Sequence, residues 1–152
     1  MHTAIVPVHI NIIEDVPMTD IKAIEADLAA KMNEFYRALT EGCPEKYDSL
    51  WADLKELWLQ MELSGIHYKG SCQGNSITVF LWCRDSHAMS RLLQMLESGN
   101  LEKMFQRTLT FLAKEVLSFS LRINRKEWKL AEYYFQVSGK VQHEDFYIFL
   151  LW

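Results

Sequence analysis

The sequence predicts one α+β domain, and three observations point to it. Short stretches alternate apolar and polar residues, as half-buried strands do. Longer stretches repeat apolar residues every three or four positions, as helices do. The two kinds follow each other in the order β-α-α-(β)-β-α-α-β-α-(β), with no repeat, linker or low-complexity segment between them. Composition agrees: 49% of the 152 residues are hydrophobic and 24% are charged, the balance of a folded chain rather than a disordered one. A chain of this length buries roughly 70% of its unfolded surface. The expected unit is therefore a single domain over 1–152, with a C-terminal tail of ambiguous structure from about residue 138.

At the N-terminus, Val6, Val8, Ile10 and Ile12 fall on one face of a strand, and Pro7, His9 and Asn11 on the other. Proline cannot donate to a ladder, so the strand is expected at a sheet edge or starting after Pro7. A helix follows, with Thr19 as N-cap, Asp20 in its first turn, and Ile21, Ile24, Leu28, Met32, Phe35, Tyr36 and Leu39 at helical spacing. Gly42 ends it, and Pro44 suits the first turn of the next helix. That helix carries the stripe Leu50, Trp51, Leu54, Leu57, Trp58 and Met61 and closes at Gly65. The pair reads as two antiparallel helices joined by a short turn. Residues 64–75 hold three glycines and read as a loop around a short strand at 66–69.

The next strand is clearer. Ile77, Val79 and Leu81 alternate with Thr78, Phe80 and Trp82, so both faces carry apolar groups. Either both faces are partly covered, or a one-sided sheet leaves Phe80 and Trp82 outside. Asp85 or Ser86 caps a third helix bearing Met89, Leu92, Leu93 and Leu96, which Gly99 terminates. Asn100 caps a fourth, with Leu101, Met104, Phe105, Thr108, Leu109 and Leu112. Leu117, Phe119, Leu121 and Ile123 then alternate with Ser118, Ser120, Arg122 and Asn124, one face buried and one wet. Asn124 caps a last helix with Trp128, Ala131 and Phe135, and 146–152 form a possible further strand.

Several function classes find no support. A net charge of −4 offers no basic field for nucleic acid. The C-terminal apolar run is too short for a bilayer span, and the apolar N-terminus lacks the positive flank of a signal peptide. Cys43, Cys72 and Cys83 are odd in number and lie outside any CxxC spacing, which predicts reduced thiols and a cytoplasmic location. The five histidines show no HExxH or HxH spacing, and residues 69–76 lack the GK[ST] of a phosphate loop. No catalytic, cofactor-binding or metal-binding residue is assigned. Cys83, at a strand end with Arg84 and His87 close by, is a conceivable nucleophile but reads better as a small buried hydrophobe. Arg122, Arg125, Lys126 and Lys129 form a small basic group suited to a solvated face or a partner contact. Phe80 and Trp82 read as protein-binding anchors if their face is open.

Residues 76–135 carry a resemblance. A strand ending in Cys83 precedes a helix and the turn Glu97-Ser98-Gly99-Asn100-Leu101. A helix containing Gln106-Arg107-Thr108-Leu109 and the alternating strand from Leu117 to Ile123 follow. This pattern resembles the family of TRADD N-terminal domains, modules of animal cell-death and innate-immune adaptors. The first half of the chain agrees with it only in element order. The resemblance implies a two-layer α+β sandwich, a mostly antiparallel sheet with helices on one face, loosely ferredoxin-like. It also implies an adaptor role without enzyme activity or cofactor. The partner would be a signalling protein such as a tumour-necrosis-factor-receptor-associated factor. A full-length member carries a death domain, which has no place in these 152 residues, so a stand-alone module, an isoform or a fragment is expected.

The leading expectation is thus an interaction module of death-receptor or innate-immune type, binding through Phe80, Trp82 and Arg122, with a homodimer possible. The alternatives are a ferredoxin-like regulatory domain that binds a small molecule, and a Cys83-dependent enzyme.

Overall fold

The structure, a computed structural model, describes residues 4–41 and 50–137. The N-terminal alternation becomes β1 (Ala4–Ile12), with Ala4, Val6, Val8, Ile10 and Ile12 buried. Next come α1 (Met18–Glu41) and α2 (Leu50–Leu63). β2 (Ile66–Gln73) and β3 (Ile77–Cys83) form a hairpin. α3 (Ser86–Ser98) and α4 (Asn100–Ala113) lead to β4 (Phe119–Ile123) and α5 (Arg125–Val137). The four strands make one sheet in the order β2-β3-β1-β4, every neighbour antiparallel. The result is a two-layer α+β sandwich. Its strand order is that of the ferredoxin-like β-α-β-β-α-β arrangement, with a pair of helices in each crossover.

The core lies between the sheet and the helices. In register, Val6 faces Leu81, Val8 faces Val79 and Ile10 faces Ile77, all fully buried. Leu28, Met32 and Phe35 of α1, Leu92 of α3, and Leu101, Phe105 and Leu109 of α4 close over them. Trp58 of α2 is the hub. Its ring meets Phe105 and Tyr68 edge-on, each at 5.7 Å between centroids, the arrangement that ring quadrupoles favour. Its buried Nε1–H donates to Thr108 Oγ1 at 3.0 Å, so the indole is buried without an orphaned donor. Ala131 of α5 is buried, and half-buried Trp128, Tyr134 and Phe135 join the same core.

Local chemistry sets the boundaries. Asp85 accepts a hydrogen bond from the Ala88 amide at 2.8 Å and caps α3. Gly99, at φ +83°, ends α3 in the left-handed region and hands the chain directly to α4. Asn124 Oδ1 accepts from the amides of Lys126 (2.8 Å) and Glu127 (3.2 Å), as an N-cap should.

Five boundary expectations need correction. β1 is a central strand that starts at Ala4, before Pro7. Proline fits because β4 pairs with β1 only from Val8 onward, which leaves one flank of Pro7 unpaired. α1 starts at Met18, with the Pro17 carbonyl accepting from Asp20 and Ile21, so Thr19 lies inside the helix. Asn100 likewise lies inside α4. β4 begins at Phe119, although Leu117 just before it is buried. β2 runs on to Gln73, through the glycines that read as loop. Gly42, Pro44, Cys43 and the strand expected at 146–152 lie outside the described residues.

The second half of β2 pairs with β3, and a side chain of α1 also holds its outer edge. Asn33 of α1 acts as a rung of the ladder: its Oδ1 accepts from the Ser71 amide and its Nδ2 donates to the Ser71 carbonyl, both at 2.9 Å. Tyr68 donates to the same Oδ1 at 2.7 Å, and Ser71 Oγ donates to the Ala29 carbonyl at 2.8 Å. Between Tyr68 and Gly70 the register shifts, with Gly70 at φ +144°, a conformation that favours glycine. Tyr36 stacks on Tyr68 at 4.7 Å and donates to Glu62. Burial, and the Glu62 carboxylate that accepts the phenol's hydrogen bond, push Tyr36 well above the ordinary range.

Candidate functional site

The strand residues that point away from the core form the second face of the sheet. β1 contributes Ile5, Pro7, His9 and Asn11, and β3 contributes Thr78, Phe80 and Trp82. Register sets their neighbours: Ile5 faces Trp82, Pro7 faces Phe80 and His9 faces Thr78. β2 places His67 on the other side of Trp82, and β4 places Arg122 beside His9. Phe80, Trp82, Ile5 and Pro7 thus share one apolar block on the two central strands.

Phe80 and Trp82 are half-buried, as expected of side chains that shade one another on a pleated sheet. Ile5 keeps 48% of its surface exposed. The Lys69 ammonium sits 4.4 Å from the centre of the Trp82 ring, a cation–π contact that leaves a positive charge at the edge of the block. Arg122 is exposed and shares the face but not the block. It lies two strands from β3, about 10 Å across the sheet, level with His9 rather than with Trp82.

The charge of this face differs from that of the chain. The net charge is −4, yet none of the four strands contains Asp or Glu. Lys69, Arg122, His9 and His67 supply its basic groups, and exposed Cys72, opposite Thr78, adds a thiol. His9 Nε2 meets Glu127 Oε1 at 2.7 Å, and its Nδ1 lies 3.3 Å from Thr78 Oγ1, so the ring bridges the sheet to the start of α5. His67 Nδ1 lies 3.8 Å from Glu62 Oε1.

The sequence placed Phe80, Trp82 and Arg122 on outward positions, and strand parity was the signal. It missed Ile5, Pro7, His67 and Lys69, whose relation to Trp82 depends on which strands become neighbours.

Cys83 has the other parity. It is fully buried on the core side. Burial, and then the nearby Asp85 carboxylate, push its thiol up to about 12. At neutral pH it stays protonated, which is unsuited to nucleophilic attack. Among the described residues, no group of three or more His, Cys, Asp or Glu side chains is placed to hold a metal ion. No described helix is long and apolar enough to cross a membrane. Compared with models of protein families, with curated proteins and with solved structures, the chain has no match in any of the three.

Proposed function

We propose that this chain is a protein-interaction module of the adaptor kind, working in the cytoplasm, and that the face of Phe80 and Trp82 is its docking surface. One observation carries the reading: an aromatic pair lies in register with Pro7 and Ile5 on strands free of carboxylates, in an acidic chain. Rigid aromatics on central strands are the usual anchors of protein interfaces. The cations around them, Lys69 and Arg122, favour a partner whose contact surface is rimmed with carboxylates. The resemblance to TRADD N-terminal domains runs through 76–135, the segment that builds β3, α3, α4, β4 and α5. It adds the partner class, a tumour-necrosis-factor-receptor-associated factor or another signalling adaptor. The ferredoxin-like strand order does not by itself favour a regulatory small-molecule domain, because this topology hosts unrelated functions.

The test is binding of the purified chain to the C-terminal domain of such a factor, followed by calorimetry. Trp82→Ala and Phe80→Ala each weaken binding about tenfold or more, the loss typical of an anchor. Arg122→Glu weakens it less and reduces its salt dependence. Unchanged affinity in both aromatic variants, with unchanged circular dichroism, overturns the assignment of the face. A complete lack of binding overturns the partner class. Self-association abolished by Trp82→Ala reassigns the face to a homodimer.

A further inference from the structure

The opposite side of the molecule holds a second feature, a groove of about 560 Å³ walled by α2, α3 and α4. The α3 and α4 walls contribute residues at i, i+3, i+4 and i+7, from Arg91 and from Asn100, and the third wall contributes Leu57, Gln60 and Met61 of α2 with Ser64 just past its end. Such a set is one face of two helical turns, about 10 Å long. The floor is apolar, with buried Met61 and Met104 and half-buried Met95. The rim holds three exposed cations, Arg91, Lys103 and Arg107, and no carboxylate lines the groove. None of the three cations pairs with a carboxylate among the described residues.

We infer that this groove is a docking site for a short amphipathic helix with an acidic flank, supplied by a partner protein. A helix of two or more turns matches the length of the walls and would place its apolar residues on the methionine floor. Flexible methionines adapt to varied apolar side chains, as helix-binding grooves require. Carboxylates along the partner's flank would meet Arg91, Lys103 and Arg107. The exposed position of these cations argues against a small anion, which needs to be mostly enclosed to bind well. The site is separate from the sheet face and does not depend on the function proposed for it.

The experiment selects displayed 14-residue peptides on the immobilised full chain and measures enriched peptides by fluorescence anisotropy. Enriched sequences should carry apolar residues at helical spacing with Asp or Glu on one flank. The double variant Lys103→Glu/Arg107→Glu should lose at least tenfold in affinity. Gln94→Trp, which fills the groove without changing its charge, should do the same, and Trp82→Ala should leave affinity unchanged. All four positions are at least partly solvent-facing, and unchanged circular dichroism checks the fold. The inference is overturned if no acidic amphipathic pattern is enriched, or if both groove variants bind like the unaltered chain. Loss of binding in Trp82→Ala moves the peptide to the sheet face and also overturns it. Binding of dodecyl phosphate that is lost in the groove variants, where no peptide binds, overturns it in favour of a small amphipathic anion.

Discussion

Cys83 and Cys72 differ chiefly in where the sheet puts them. Cys72 is exposed near the end of an outer strand, and Cys83 is sealed under the helices. At about pH 8, N-ethylmaleimide should therefore modify Cys72 in the folded chain and reach Cys83 only on unfolding; mass spectrometry reads both. The same burial makes stability depend on alkaline pH. The Cys83 thiol moves from 9.0 to about 12 and the Tyr68 phenol from 10.0 to about 12, mainly through burial. Both groups ionise first in the unfolded chain. Their contribution is complete below the unfolded values and is lost as pH rises towards the folded ones. The urea midpoint should fall between about pH 8 and about pH 10.5, and fall less in Cys83→Ala. An equal fall in both proteins would show that Cys83 does not contribute.

At the scale of elements, the second half of β2 pairs with β3 and is also held on its outer edge by one side chain of α1. Asn33→Ala removes both bonds to the Ser71 backbone and the acceptor of Tyr68. It should cost about 0.5–1.5 kcal/mol, the usual net worth of a hydrogen bond whose freed groups can turn to water. Amide exchange in residues 70–73 should quicken before that of β3, and hydrogen-exchange mass spectrometry measures it. This contact also explains what could be read in advance. Helices and strands with a clean period were legible because each period reflects a local geometry, and the caps Asp85 and Asn124 followed from their own residue types. The end of β2 was not legible, because Gly70 and Gly74 signal a loop locally, whereas the bulge that keeps the pairing with β3 and the Asn33 contact 38 positions away appear only in the fold. Pro7 misled for a related reason: the rule against proline concerns one flank of a strand, and only topology shows that this flank is open. The parity of Phe80 and Trp82 was legible, whereas their neighbours were not. The groove was invisible, because each of its walls alone reads as an ordinary solvated helix face.

For the whole molecule, one core links both crossovers. Phe105 of α4 is fully buried against Trp58 of α2, so the two helix pairs share a contact. Phe105→Ala should cost about 3–5 kcal/mol. Far-ultraviolet circular dichroism and tryptophan fluorescence should lose signal together on heating, in the variant as in the parent. Separate transitions would mean that the two halves fold independently. The same architecture puts the two candidate surfaces back to back, one on the sheet and one among the helices. A single small domain could then hold two proteins at once. The bulge in β2 has a consequence for crowded solutions. β2 is an outer strand, and an even outer strand offers its free amides to any other chain that drifts alongside. Here the register slips between Tyr68 and Gly70, and exposed Lys69 sits at the slip. A second copy laid along this edge would find the amides out of step and a like charge waiting. Cross-β fibres are thus discouraged along β2, and the chain is kept from stacking on itself there.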